Sequence, residues 1–482
     1  MVINFIKRIF QRDVDSAVVS VKQLRKIAEL RFGEFTLKLA TDADSDVVCR
    51  QLLRVVPGKR IVAEAIWQNK VVIAKVFYQR GQAKRHFMRE QSQSAQLSFR
   101  GVLCPKILYA GNTQDPRVKI IIYEKVLGVA LETLWKNKTT IASVRLLLQA
   151  MSIELATQHV LGVLQRDLHF KNFFVNKQKI ITIDAGQVSF FDKPLSKKVS
   201  LKHLSLYFSQ LGIGRFKLLK LLYETYAHAR GWQIKEKDFR MIKRFVKFYQ
   251  ENRWERLQKK LLRTSSQFYV TKSFTQFVSF DKDYATPALQ FCLLDPQQTA
   301  SLGVTLKNGN SSTVSLVDID NKKVVIKRYK IKGFWHGLRR CLRPTRAFTT
   351  WFLSHYLSML DVAIPRPIAI VEKRFGFLKR ESFLLMDYIP GEHAKDFFQH
   401  ASGPQAQSVA DKILFLLKKL SLLKLVHGDF KQTNVIIYQD NPYLIDLDGM
   451  VKKALFKKHQ HIDYNRFMMN WRDTPEIAML FK

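Results

Sequence analysis

Two segments about half a chain apart carry the same three polar residues at the same spacing. The first, LQRDLHFKNFFVNKQKIITIDAG, contains Asp167, Asn172 and Asp184. The second, VHGDFKQTNVIIYQDNPYLIDLDG, contains Asp429, Asn434 and Asp446. In each, the Asn stands five residues after the first Asp and the second Asp seventeen after it. Short apolar runs separate the polar residues: Phe173-Phe174-Val175 and residues 180–183, then Val435-Ile436-Ile437 and Tyr443-Leu444-Ile445. Such runs suit a hairpin of short strands with the polar residues at its ends. A loop Asp that orients an acceptor hydroxyl, followed by an Asn and an Asp that hold magnesium on ATP phosphates, is the equipment of phosphoryl transfer. Two copies at matched spacing point to a duplicated unit.

Length and composition bound what surrounds this repeat. A chain of 482 residues holds two to four domains, and 47% hydrophobic with 12% aromatic residues marks it as globular. Four scattered cysteines, with no CxxC, argue against structural zinc or a disulfide framework and for a reducing compartment. No apolar run reaches membrane-span length, and the N-terminus lacks a secretory pattern. The expected location is cytoplasmic.

Eighty Lys+Arg against forty Asp+Glu leave a net charge of +40. Such a field attracts nucleic acid, anionic lipid headgroups or a polyanionic substrate, unless it is a general basic bias of a solvated surface. Two stretches concentrate it. Residues 237–263 hold ten Lys/Arg among interleaved aromatics, which on a helix more often form its core face than stack on bases. Residues 321–360 hold ten Lys/Arg and no acid, including Lys332, Arg339, Arg340, Arg343 and Arg346. No nucleic-acid-binding signature accompanies them, so an anionic membrane or glycolipid is the expected partner well ahead of nucleic acid, which is kept as the non-kinase fallback. The opening MVINFIKRIFQR is amphipathic, suited to a membrane interface or to packing on the adjoining domain.

In the first half, IVAEAIW and VVIAKVFY read as strands joined by a turn at Gln68-Asn69-Lys70. Lys75 ends the buried run where it would meet ATP phosphates, and Glu90, fifteen residues on in a helix over 82–97, is positioned to pair with it. KIIIYEKVLG (119–128) suits a hinge for adenine, and residues 143–164 form the helix before the loop of Asp167. In the second half KKVVIKRY places Lys327 in the lysine position. The segment before it offers a phosphate loop built on Gly309, Ser311, Ser312 and Thr313. FLLMDYIP (383–390) matches the hinge strand. No acid lies between Asp320 and Asp361, so the helix after Lys327 lacks a glutamate partner. That half either uses another orienting residue, binds nucleotide without turnover, or is structural. Neither half has Ala-Pro-Glu after its second Asp, which favours a small molecule or sugar over a protein as acceptor.

KRYKIKGFWHGLRRCLRPTRAF, the IPRPIA run, VHGDFKQTN and LIDLDGM resemble the bacterial lipopolysaccharide kinase family, and QRDLHFKN makes the first half look like a more distant member. The resemblance implies an α+β fold of two tandem protein-kinase-like domains, each a small β-rich lobe plus a helical lobe. The expected organisation is a helical segment over 1–30 and domains over 31–273 and 274–482. It implies an ATP- and Mg2+-dependent kinase that phosphorylates Kdo or heptose of a lipid-A-linked core glycolipid, peripheral to the inner membrane. The catalytic bases would be Asp167 and Asp429. Magnesium would fall to Asn172, Asp184, Asn434 and Asp446, and phosphate contacts to Lys75 and Lys327. Lys431 would add charge at the transferred phosphoryl group, and His169 and His427 would order their loops. Gln165 stands where a histidine is usual, and Ala185 departs from the metal-binding tripeptide. The other readings are a kinase of a soluble metabolite, antibiotic or protein, and a pseudokinase scaffold.

Overall fold

The computed structural model describes residues 19–30, 34–41, 46–137, 141–177, 179–330, 343–376, 378–452 and 461–482. The amphipathic opening and Lys332, Arg339 and Arg340 lie outside them. The chain divides into two compact units, residues 1–208 with 217–246, and 209–216 with 247–482.

In the first unit, helix α1 (Val21–Leu30) precedes strands β1 (Phe35–Lys38), β2 (Asp46–Val56), β3 (Arg60–Trp67) and β4 (Lys70–Phe77). Helix α2 (Ala83–Phe99) then leads to β5 (Ile107–Asn112) and β6 (Lys119–Glu124), and the antiparallel sheet has the order β1-β2-β3-β4-β6-β5. Gln68 and Asn69, both at positive φ, close the β3–β4 hairpin with the twist that two-residue turns require. β7 (Val129–Ala130), α3 (Leu131–Lys136) and α4 (Ala142–Val160) follow, then short strands β8 (Val163–Gln165), β9 (Phe173–Asn176), β10 (Lys179–Thr182) and β11 (Val188–Phe190). They pair as β10-β9-β7 and β11-β8. Helices α5 (Lys197–Phe208), α6 (Phe216–Ala229) and α7 (Glu236–Leu261) form the helical region.

The second unit contains β12 (Phe268–Lys272), β13 (Gln276–Asp281), α8 (Pro287–Leu294), α9 (Pro296–Ser301), β14 (Val304–Asn308), β15 (Ser312–Ile319) and β16 (Lys322–Tyr329). After α10 (Arg346–Met359) come β17 (Pro367–Phe375) and β18 (Leu378–Asp387), giving the sheet order β12-β13-β17-β18-β16-β15-β14. β19 (Glu392–His393), α11 (Ala394–His400), α12 (Gly403–Leu422), β20 (Leu425–Val426), β21 (Val435–Tyr438), β22 (Asn441–Leu444), β23 (Val451–Lys452), α13 (Ile462–Met469) and α14 (Pro475–Met479) complete it. Strand order β2-β3-β4-β6-β5 in one unit recurs as β14-β15-β16-β18-β17 in the other, and the small sheets recur as β19-β21-β22 and β20-β23.

The boundary expected after residue 273 falls instead at Val246/Lys247. The cause is α7, a continuous helix whose later residues Trp254 and Leu257 pack on the second unit's core, beside Trp351, Phe268 and Leu261. The basic 237–263 stretch is this helix. Its Phe239, Ile242 and Val246 are buried, so these aromatic and aliphatic residues form a core face. Among the described residues no helix is long and apolar enough to cross a membrane.

Candidate phosphoryl-transfer sites

Lys75 lies near the end of β4 in a run of β-branched residues whose side chains are mostly buried. The buried stripe of α2, Ala83, Phe87, Glu90, Ser94 and Leu97, recurs at helical spacing and carries Glu90 inward with its apolar neighbours. The Lys75 ammonium meets the Glu90 carboxylate in a buried ion pair, and Asp184 Oδ1 stands 3.5 Å from the same nitrogen. Burial alone would drive Lys75 toward neutrality, but the carboxylates of Glu90 and Asp184 outweigh it and hold the ammonium charged above its ordinary range. Burial would likewise raise Asp184, and Lys75, Arg60 and Arg54 more than offset it, keeping the carboxylate ionised.

Asp167 and Asn172 sit at the other side of the loop. Phe170 is buried against Trp135 and Tyr207 and pins a short 3-10 turn ending at Asn172. Asn172 Nδ2 donates to the Asp167 carbonyl at 2.8 Å, and its backbone carbonyl accepts from Ile183 N at 2.9 Å. The second unit repeats this: Asn434 Nδ2 donates to the Asp429 carbonyl at 2.8 Å, and Asn434 O accepts from Ile445 N at 3.0 Å. With its nitrogen committed, each Asn offers a side-chain oxygen to a cation. One amide oxygen and one carboxylate make a partial hard-oxygen shell of the kind magnesium completes with water and phosphate, so the residues fit that ion.

Lys327 is held differently, and here the sequence reading is completed by an acid it did not single out. Its ammonium lies 2.7 Å from Asp446 Oδ1 and 2.7 Å from Asp448 Oδ2. Asp448 is fixed in turn by Tyr329 Oη at 2.7 Å and by Thr350 Oγ1 of α10 at 3.2 Å. Burial opposes the charge on Lys327, and Asp448 and then Asp446 overcome it. Glu372, the buried acid of β17, accepts from the Thr345 hydroxyl. Asp446 itself adopts a left-handed backbone conformation, tolerable for Asp, from which the chain turns into the Leu447–Gly449 3-10 turn.

The two tripeptides Asp184-Ala185-Gly186 and Asp446-Leu447-Asp448 explain each other. A Cβ on Gly186 would fall inside van der Waals contact of Glu90 Oε2. Glycine there admits the helix carboxylate; where the helix has none, the same position carries the carboxylate itself. Ala185 is buried beside Leu97 and Val102, a packing role. Gly186→Ala is expected to push Glu90 off Lys75 and weaken nucleotide binding by the first unit, measured by titration of the full-length protein. Unchanged affinity would refute the spacing argument.

Around Asp429 the carboxylate is fully engaged, by Lys431 Nζ at 3.1 Å, Arg466 Nη2 at 2.7 Å and Asn434 Nδ2 at 3.1 Å. Asp463, one turn before Arg466 on α13, accepts from the backbone N–H of His427 and Gly428 at 2.7 and 2.9 Å and so anchors the loop. His427 is buried, its ring bonded to the Ile445 carbonyl, an ordering role. His169 Nδ1 accepts from Lys171 N. The expected phosphate loop of Gly309, Ser311 and Ser312 is the β14–β15 hairpin, with one correction. Gly309 N already donates to the Ser312 carbonyl at 2.9 Å, so that amide is not a free phosphate donor.

Where the first unit has Gln165, a buried chain supports the loop. Tyr226 O–H donates to His159 Nδ1 (2.7 Å), His159 Nε2–H to His203 Nδ1 (2.7 Å), and His203 Nε2–H to the Gln165 carbonyl (2.6 Å). This polarity is complete only with both rings neutral. Burial brings His203 down to about 4 and holds His159 well below its usual range, helped by His203 and Arg230. A base with a lower pKa folded than unfolded takes up protons on unfolding. Its contribution, up to roughly 3 kcal/mol for His203, is therefore present above about pH 6.5 and lost as pH falls toward 4. His203→Gln, which keeps an N–H donor, should flatten that acid limb in urea unfolding; an unchanged limb would contradict the neutral-chain assignment.

A RIO domain model matches residues 355–467. The match lies inside the second unit and contains Asp429, Asn434, Asp446, Asp448, Asp463 and Arg466. That region has a protein-kinase-like, phosphotransferase fold of mixed α and β structure. The chain is also similar to the structure of the Cydia pomonella granulovirus kinase PK-1, at 20% identity and a TM-score of 0.25, covering 34% of this chain and 58% of that one. The matched part spans under two thirds of that kinase's length. No curated protein matches. The lipopolysaccharide-kinase likeness thus rests on sequence motifs.

Proposed function

We propose that the chain transfers the terminal phosphoryl group of ATP to a sugar hydroxyl, Kdo or heptose, of a lipid-A-linked core glycolipid at the cytoplasmic face of the inner membrane, using two kinase-like domains in tandem. The observation that carries phosphoryl transfer is the recurrence, in both units, of a buried lysine held charged by two carboxylates. Lys75 and Lys327 bind phosphate oxygens; Glu90 and Asp448 keep them charged and oriented. Asp167 and Asp429 accept the proton of the incoming hydroxyl. Asn172 with Asp184, and Asn434 with Asp446, would hold Mg2+, which would supply charge neutralisation at the phosphates. In the second unit Lys431 and Arg466 beside Asp429 suit an acceptor that is itself anionic.

The acceptor assignment is supported by the motif likeness and by the +40 charge, which draws the protein to anionic lipid. Mass spectrometry of lipopolysaccharide from a deletion strain tests it, with the loss of one core phosphate expected. Intact core phosphorylation, together with activity on detergent-free soluble sugars that lipid does not raise, would move the assignment to a soluble acceptor. Absence of transfer to any acceptor would make the protein a scaffold.

A further inference from the structure

The hairpin facing the first site carries two arginines, Arg54 on β2 and Arg60 at the start of β3. In the antiparallel register Arg54 lies opposite Val62, and Val62 opposite Lys75. Residues directly opposite share a face, and Arg60, two before Val62, shares it as well. Arg54, Arg60 and Lys75 therefore project from one side of the sheet. They converge on Asp184: Arg54 Nη1 at 3.3 Å and Arg60 Nη2 at 3.5 Å from Oδ2, Lys75 Nζ at 3.5 Å from Oδ1. Arg60 also lies 3.6 Å from Glu90 Oε2. Three cations face two carboxylates, leaving positive charge unmatched where the phosphate-bearing end of a nucleotide would lie.

Arg54 reaches this face because β2 is bulged. The register slips between Leu52 and Arg54, so Leu53 is the extra residue. The second unit has the same device: β14 slips between Thr305 and Lys307 with Leu306 extra, and Lys307 lies opposite Val314, which lies opposite Lys327. Both extra leucines are half-exposed, so neither bulge is made by packing that side chain into the core. A bulge that delivers a cation to one site twice, with different local sequences, is a built feature.

We propose that Arg54 and Arg60, with Lys75, grip the phosphate chain of the nucleotide in the first unit, and that Lys307 takes the part of Arg54 in the second. The inference rests on the nucleotide reading of both sites. Without nucleotide the guanidiniums pair with Asp184; with it they turn to phosphate oxygens, for which their planar fork is suited. They replace the close backbone approach that a glycine-rich loop would provide.

The test is photolabelling of the full-length protein with 8-azido-ATP, with labelled peptides assigned to each unit by mass spectrometry and competed by ATP, ADP, AMP and adenosine. Arg54→Gln alters a half-exposed side chain and leaves the core intact. It should weaken ATP competition in the first unit by about tenfold, ADP by less and adenosine by under about twofold, without changing the second unit. Arg60→Gln should act likewise, and Lys307→Gln should do the same in the second unit alone. Equal or tighter ATP binding by Arg54→Gln, or a penalty that does not grow with phosphate number, overturns the clamp while leaving the nucleotide site standing. Failure of the wild-type first unit to label overturns both.

Discussion

Replacing Asp167 and Asp429 together with alanine is expected to abolish transfer from labelled ATP to the core glycolipid. Loss of a positioned base costs on the order of 10^2- to 10^4-fold, and each single variant should leave at most the other unit's activity. The two singles need not be equal. Asp429 shares its carboxylate with Arg466, Lys431 and Asn434, so its oxygens are already engaged before an acceptor hydroxyl arrives. Removing it exposes how much turnover the second unit contributes. Nucleotide binding should survive in both variants, because neither Asp touches the lysine that holds phosphate. A double variant with full activity would show that these loops do not perform the chemistry.

Asp448→Asn should have the second large effect. Asp448 holds Lys327, and Tyr329 and Thr350 hold Asp448, so the neutral amide leaves a buried ammonium with one carboxylate instead of two. Breaking one partner of such a group costs roughly 3 kcal/mol, and the second unit should unfold at correspondingly lower denaturant and lose nucleotide affinity. The sharper form of the test uses the first unit, where Glu90→Gly alone should leave Lys75 with Asp184 as its single carboxylate and weaken binding. Glu90→Gly combined with Gly186→Asp should restore binding by moving the acid to the position Asp448 holds. If Asp448→Asn matches wild type in stability and affinity, the carboxylate exchange between helix and tripeptide is wrong.

How much of this was legible in the chain differs by residue. Lys75 and Glu90 meet as their spacing suggests, because a strand-end lysine and a helix acid on the buried stripe leave little freedom, whereas the contact of Asp184 with Lys75 is seen only in the structure. The matched hairpins after Asn172 and Asn434 were equally readable, since apolar runs and turn residues fix them locally. Asp448 lies inside the repeat, but spacing alone does not show that an acid two residues after Asp446 reaches Lys327 as well. Both do so across the turn that the left-handed backbone at Asp446 begins. Arg54 and Lys307 were hidden by the bulges, since simple alternation puts them on the wrong face of their strands. Asp463 and Arg466 act across the fold from α13, and the unit boundary was displaced by one uninterrupted helix, α7.

The most direct measurement is anomalous scattering from crystals grown with manganese and a non-hydrolysable ATP analogue. The account predicts metal peaks between Asn172 and Asp184 and between Asn434 and Asp446, with the analogue's phosphates against Lys75 and Lys327. Manganese and analogue bound elsewhere, with both pairs bare, would contradict it.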